Sequence, residues 1–209
     1  MRRGRQCPQE AVLAVYERMV ELYTPYVLVR CARYTAGRRQ AQQIGVYTLI
    51  GACSLAQEAG YVLPVGRIVE IVLKVVGPDV RAGARGEDWR DGPDEPLLAD
   101  PWMQYMATAL NALRRRGREV LVLHHVGGVT PEDLARLLDQ PVEHVRTRLG
   151  RAERRLAQWL GVADVGRALA RFAAGLDRNW MQEVAACALD YLAARDQRAP
   201  HCSAHANWN

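Results

Sequence analysis

The chain has 209 residues, enough for one large domain or two small ones with cores of their own. With 49% hydrophobic and 24% charged residues, the composition excludes the low-hydropathy, high-charge profile of a disordered chain. A formal charge of +5 suits a polyanionic partner, but it bears on encounter rather than on fold.

Cys7, Cys31, Cys53, Cys187 and Cys202 lie far apart with no CxxC pair, which speaks against a disulfide framework or a zinc ribbon and for a reducing, cytoplasmic setting. Arg2, Arg3 and Arg5 are not followed by an apolar run, so no secretory leader is expected. The most apolar stretch, 44–59, is interrupted by Ser54, Gln57 and Glu58 and falls short of the roughly 20 apolar residues of a membrane span.

In chain order, the N-terminal part reads as three helices over 8–34, 38–59 and 65–76, with a break at Pro25 left open. Ile68, Val69, Ile71, Val72, Leu73, Val75 and Val76 are branched enough for a strand. They show no alternation, however, and no partner strand is visible, so a helix is expected. Between 77 and 101 the texture changes to four Gly and four Pro in 25 residues, with seven acids against three arginines and a net charge of −4. That composition predicts a solvated, flexible linker.

Beyond it, Met103, Met106, Leu110 and Leu113 fall on one helix face; a core stripe explains them better than a cofactor role. A helix over 118–126 follows the turn at Arg116 and Gly117. Two more are expected from Val165, Leu169, Phe172 and Leu176, then from Trp180, Val184, Cys187 and Tyr191. The expected architecture is therefore all-α. It divides into a helical domain at 1–76, a flexible acidic linker at 77–101, a second domain at 102–160, and a helical extension with a polar tail at 161–209.

The most informative segment is 130–160. Thr130 supplies a hydroxyl N-cap, Pro131 suits the first helical position, and Glu132 and Asp133 face the positive end of the helix dipole. The helix they open is short; it breaks at Asp139 and Gln140 and the chain restarts at Pro141. The second helix carries Val142, Val145, Leu149, Ala152 and Leu156 as a buried stripe. Its remaining positions hold Arg146, Arg148, Arg151, Arg154 and Arg155 against Glu143 and Glu153, a net of +3. A short helix tightly turned into a longer one with a cationic outer face is a helix-turn-helix suited to the DNA major groove. The plainer alternative is a helical hairpin with a solvated arginine face.

These residues carry a family resemblance. From Leu113 to Leu156 the chain resembles region 4 of extracytoplasmic-function sigma factors, the bacterial subunits that recruit RNA polymerase to promoters. The likeness lies in the runs at 118–123, 128–135, 138–142 and 145–152. It implies a double-stranded minus-35-type promoter element as ligand and RNA polymerase core as partner, with an anti-sigma or other regulatory protein as a further partner. It also implies base contacts from Arg146, Thr147, Gly150 and Arg151, phosphate contacts from Arg148, Arg154 and Arg155, and His144 beside them. Gly150 stands where the family usually has a larger side chain. Glu143 would either meet phosphate unfavourably or accept from a cytosine edge. Resemblance to the family's region 2 is faint. The stretch 39–47 holds no acid where that region is acidic, which speaks against ordinary promoter melting. A regulator whose N-terminal domain serves protein interaction or ligand sensing is thus the competing function, and a purely protein-binding cationic helix is a third.

No nucleophile with a base, phosphate loop or carboxylate pair stands out, so neither catalysis nor a cofactor is expected. Arg114, Arg115, Arg116 and Arg118 form a basic turn that suits either phosphate or water. His124 and His125 read as surface histidines, and His201, Cys202 and His205 as a polar tail or an adventitious metal site; no metal centre is expected.

Overall fold

A computed structural model describes residues 8–58, 65–83 and 95–198. In order, the helices are α1 (Pro8–Cys31), α2 (Arg38–Glu58), α3 (Val65–Gly83), α4 (Pro101–Ala112) and α5 (Arg115–Leu121), which passes into a π-helical turn at Val122–Val126. They continue as α6 (Pro131–Leu137), α7 (Val142–Leu160), α8 (Val165–Gly175) and α9 (Arg178–Arg198). No strand occurs among the described residues, and the fold is all-α as expected. No helix among them is long and apolar enough to cross a membrane. The tail His201, Cys202 and His205 lies outside the described residues.

α1 runs unbroken through Pro25. In α3 the branched residues divide by helical spacing: Ile68, Val69, Val72 and Leu73 are buried, whereas Ile71 and Val75 are exposed. Gly51 on α2 lets α3 approach closely, since a Cβ there would stand 2.9 Å from Val72 Cγ1. α3 does not stop at Val76. It continues past Gly77 and Pro78, the residues expected to open the linker, to Gly83. Pro78 is exposed beside Lys74, so the carbonyl it leaves without a helical donor is open to water. At the far end of the linker the chain runs back along the N-terminal half. There the Arg38 N–H donates to the Glu95 carbonyl at 2.6 Å and the Leu97 N–H to that of Ala36 at 2.7 Å.

The two helical halves share one core. α9 lies against α1 and α2, with Trp180, Val184, Ala188 and Leu192 fully buried. This corrects the expected stripe: Cys187 and Tyr191 are exposed, and the buried row steps by four throughout. Gly45 sets that register, because a Cβ there would come within 3.1 Å of Val184 and 3.4 Å of Trp180. Arg195 closes the contact, donating to Ser54 Oγ at 2.6 Å and Tyr16 Oη at 3.2 Å.

The halves also meet through a buried ionic cluster. Glu70 of α3 accepts two bonds from Arg30 of α1, at 2.9 and 3.2 Å, and one from Arg118 of α5 at 2.8 Å. The Tyr26 hydroxyl donates to the same carboxylate. Arg30 reaches on to Asn111 Oδ1 at 2.5 Å, and Arg118 donates to the carbonyls of Asn111 and Leu113 at the end of α4. Arg118 is therefore not part of a solvated basic turn, being 4% exposed. Burial pushes the Glu70 carboxyl up, but the Tyr26 hydroxyl and the two guanidinium groups outweigh it and hold the group below the usual carboxylate range.

Removing this carboxylate leaves two guanidinium groups buried without their counter-ion. Glu70→Ala is expected to cost about 3–5 kcal/mol in denaturant unfolding. Because the folded value is depressed, the carboxylate's contribution is present above its unfolded value and lost as pH falls through the folded one. The gap between wild type and variant should accordingly narrow in acid.

Candidate nucleic-acid interface

The interface is built on the α6–α7 pair. Thr130 caps α6, its hydroxyl accepting from the Asp133 N–H at 3.1 Å, and Pro131 follows at the first helical position. The turn between the helices closes through Asp139, which adopts a left-handed φ of +48° while the Gln140 N–H donates to the Ala135 carbonyl at 2.9 Å. α7 then runs from Val142 to Leu160 and is capped by Gly161, which is left-handed at φ +66°. Val145, Leu149, Ala152 and Leu156 are buried as the spacing predicts, whereas Val142, expected to head that stripe, is only half-buried at the start of the helix.

α5 supports this pair from behind. Gly117 brings it against α7, where a Cβ would lie 3.3 Å from the Ala152 Cβ. At the other end the ring of Tyr105 on α4 lies 5.3 Å from that of Trp159. On the far flank His125 Nε2 is 2.9 Å from Glu153 Oε1, while His124 Nδ1 is 2.7 Å from the Val129 carbonyl.

At 3.6 residues per turn, the side opposite the buried stripe carries Glu143, Thr147, Gly150, Arg151 and Arg154. Glu143, His144, Arg146, Thr147, Arg151, Arg154 and Arg155 are all exposed. Among the described residues, none covers the cationic side of α7. Arg151 and Arg155 have no acidic partner among the described residues, and Arg154 donates only to the Gly150 carbonyl at 3.2 Å. Arg146 lies on the flank beside α6 and is held by two acids, Glu132 at 2.6 Å and Glu143 at 2.8 Å.

Arg148 stands apart from these. It is half-buried on the flank facing α5. Burial, with Arg116 and Arg115 close by, lowers its pKa against the opposing pull of the buried Glu119. The Glu119 carboxyl is in turn raised by burial, and it accepts from the Tyr23 hydroxyl at 3.2 Å. Sequence reasoning missed Glu132 as a partner of Arg146, since no periodicity relates residues on two helices that cross.

Residues 103–156 match the family description Sigma-70, region 4. Over that segment the chain is similar to sigma-70 region 4. The matched residues are α4 through most of α7, so the match takes in the helix-turn-helix together with the two helices behind it. Among solved structures, the chain is similar to the sigma factor RpoE from Bartonella quintana, determined in complex with the anti-sigma factor NepR. Identity is 18% over 75% of this chain and 97% of that one, with a TM-score of 0.36. No curated protein sequence matches the chain.

Within region 4, Gly150 is the position open to change. A Cβ there would meet nothing within 4 Å, and its φ is ordinary for a helix. Gly150→Ala should therefore stabilise α7 by up to about 1 kcal/mol, since glycine in a helix interior is less favourable than alanine by roughly that amount. In thermal unfolding this is a rise of about 2–4 °C for a chain of this size.

Proposed function

We infer that this protein is a sigma-factor-like transcription initiation protein that recognises a minus-35-type element of double-stranded promoter DNA through α7. The observation that carries the reading is the region 4 match on a helix-turn-helix whose arginine side is open. Thr147, Gly150 and Arg151 occupy the outward centre of α7 and face base edges, with Arg146 beside them. Arg154 and Arg155, further along, reach phosphates and set register without reading sequence. His144 lies near the front of the helix, at the edge of the interface. Arg148 serves as an inner cation next to Glu119 and reaches DNA less directly than the others. RNA polymerase core is the protein partner this function requires, in the cytoplasm.

One observation favours a second reading, a helix-turn-helix regulator whose N-terminal helices serve protein interaction or ligand sensing. The stretch 39–47, at the start of α2, holds no acid, where the melting region of the family it resembles is acidic. Recovery of core polymerase with the purified protein supports the initiation reading; duplex binding without polymerase supports the regulator.

Selection of duplexes from a randomised pool, followed by titration against salt, tests DNA recognition itself. Log affinity should fall by roughly 0.9 per phosphate contact for each decade of salt. Arg151→Ala is expected to weaken the selected duplex more than random DNA, and Arg155→Ala to weaken both alike. Equal losses in the two variants would remove the division of roles along α7.

A further inference from the structure

Arg146 differs from the other outward arginines of α7 in being neutralised before any DNA arrives. Its Nη2 donates to Glu132 Oε1 at 2.6 Å, and its Nη1 to Glu143 Oε1 at 2.8 Å. Glu132 belongs to the first turn of α6 and Glu143 to the first turn of α7, so the two acids grip the guanidinium from different helices. Both pairs are solvent-accessible, with roughly half of the Arg146 and Glu132 side chains exposed. Their energy as stability is therefore small, and their effect on what the arginine can bind is the larger consequence.

The trio carries one positive and two negative charges, a net of −1. A free arginine is attracted to any phosphate along a duplex, whatever the sequence. This one brings two carboxylates with it, and a phosphate is repelled by the group as a whole. Base edges differ. A guanidinium has five N–H donors, of which the two acids occupy two, and those that remain suffice for the bidentate bond to guanine O6 and N7. The carboxylates themselves accept from a cytosine amino group.

We propose that Glu132 is a specificity-determining residue: together with Glu143 it keeps Arg146 from serving as a general phosphate contact and aims its guanidinium at a guanine edge. The proposal rests on the reading of α7 as a duplex-reading helix. Glu132 acts through Arg146 and is a positioning residue. The hydrogen bond that Arg146 donates to Glu132, with the nearby charge of Glu143, raises the pKa of the guanidinium, so its donors are constant across the working pH range.

The test compares wild type, Glu132→Gln, Arg146→Ala and Arg146→Lys by fluorescence anisotropy. The probes are a duplex selected from a random pool, its single-base-pair variants, and a random duplex of equal length over a series of salt concentrations. Arg146→Ala identifies the base pair that this arginine reads. Glu132→Gln is expected to flatten discrimination at that same pair by about fivefold to a hundredfold, the range of one good bidentate contact, and to leave the other positions unchanged. On random DNA it should bind more tightly than wild type, with a salt slope steeper by about one phosphate contact. Arg146→Lys, which keeps the charge but not the fork, should flatten the same pair. The melting temperature of Glu132→Gln should match wild type, because the position is exposed.

An unchanged base-pair profile in Glu132→Gln, or a loss spread evenly over all positions with weaker binding to random DNA, overturns the proposal. So does full discrimination by Arg146→Lys. If the wild-type chain retains no duplex from the pool, the DNA reading itself fails. If it retains one and Glu132→Gln behaves as wild type, only the role of Glu132 fails.

Discussion

One carboxylate, that of Glu70, sits between two guanidinium groups in the interior, and the relation of the two halves of the molecule depends on it. Arg30 approaches from α1 and Arg118 from α5, so a single acid on α3 ties the first helices to the corner where α4 meets α5. A buried ion pair of this kind is weak evidence for added stability, because desolvation of the charges offsets much of their attraction. Its consequence is geometric. Arg118 must also satisfy the carbonyls of Asn111 and Leu113, which leaves little freedom in how α5 is placed. α7 rests on α5, so the arginine face inherits its orientation from a cluster on the opposite side of the domain.

Local chemistry is enough to explain the α6–α7 pair itself. A hydroxyl cap, a proline at the first position, a left-handed Asp139 and a four-residue apolar stripe each act over a few residues and agree with one another. Such agreement across levels is what specifies a unique geometry. Arg151, Arg154 and Arg155 on the outer side of α7 play no part in that packing. The arginines of α7 are not equivalent. Arg151, Arg154 and Arg155 are open, Arg146 is held by acids, and Arg148 is drawn toward the interior.

This division explains what could be read from the residues alone. The capping of α6 follows from residue type, and the burial of Val145, Leu149, Ala152 and Leu156 and the exposure of Arg146, Arg151, Arg154 and Arg155 follow from spacing, whereas Val142 and Arg148 are half-buried. The row on α9 does not follow from spacing, since steps of three and four fit a helix equally well. Only the contact of Trp180 and Val184 with Gly45, far away in the chain, selects Ala188 and Leu192 over Cys187 and Tyr191. Spacing makes Arg118 a surface cation for the same reason. Its partner Glu70 lies 48 residues earlier, and nothing periodic links the two. The end of α3 escaped because Gly77 and Pro78 suggest a linker by composition, whereas Gly77 is buried against the ring of Tyr34 and the helix continues past both. At the interface, the acid grip on Arg146 required knowing how two helices cross.

The proposed DNA recognition depends on the open side of α7 being the surface that meets the duplex. Photo-crosslinking of the full chain to its selected duplex, with the attachment points located by mass spectrometry, addresses this directly. Crosslinks concentrated between residues 143 and 155, with few on α1, α2 or α9, are the expected result. Crosslinks confined to the N-terminal helices, or none with any duplex while polymerase is still bound, would contradict it.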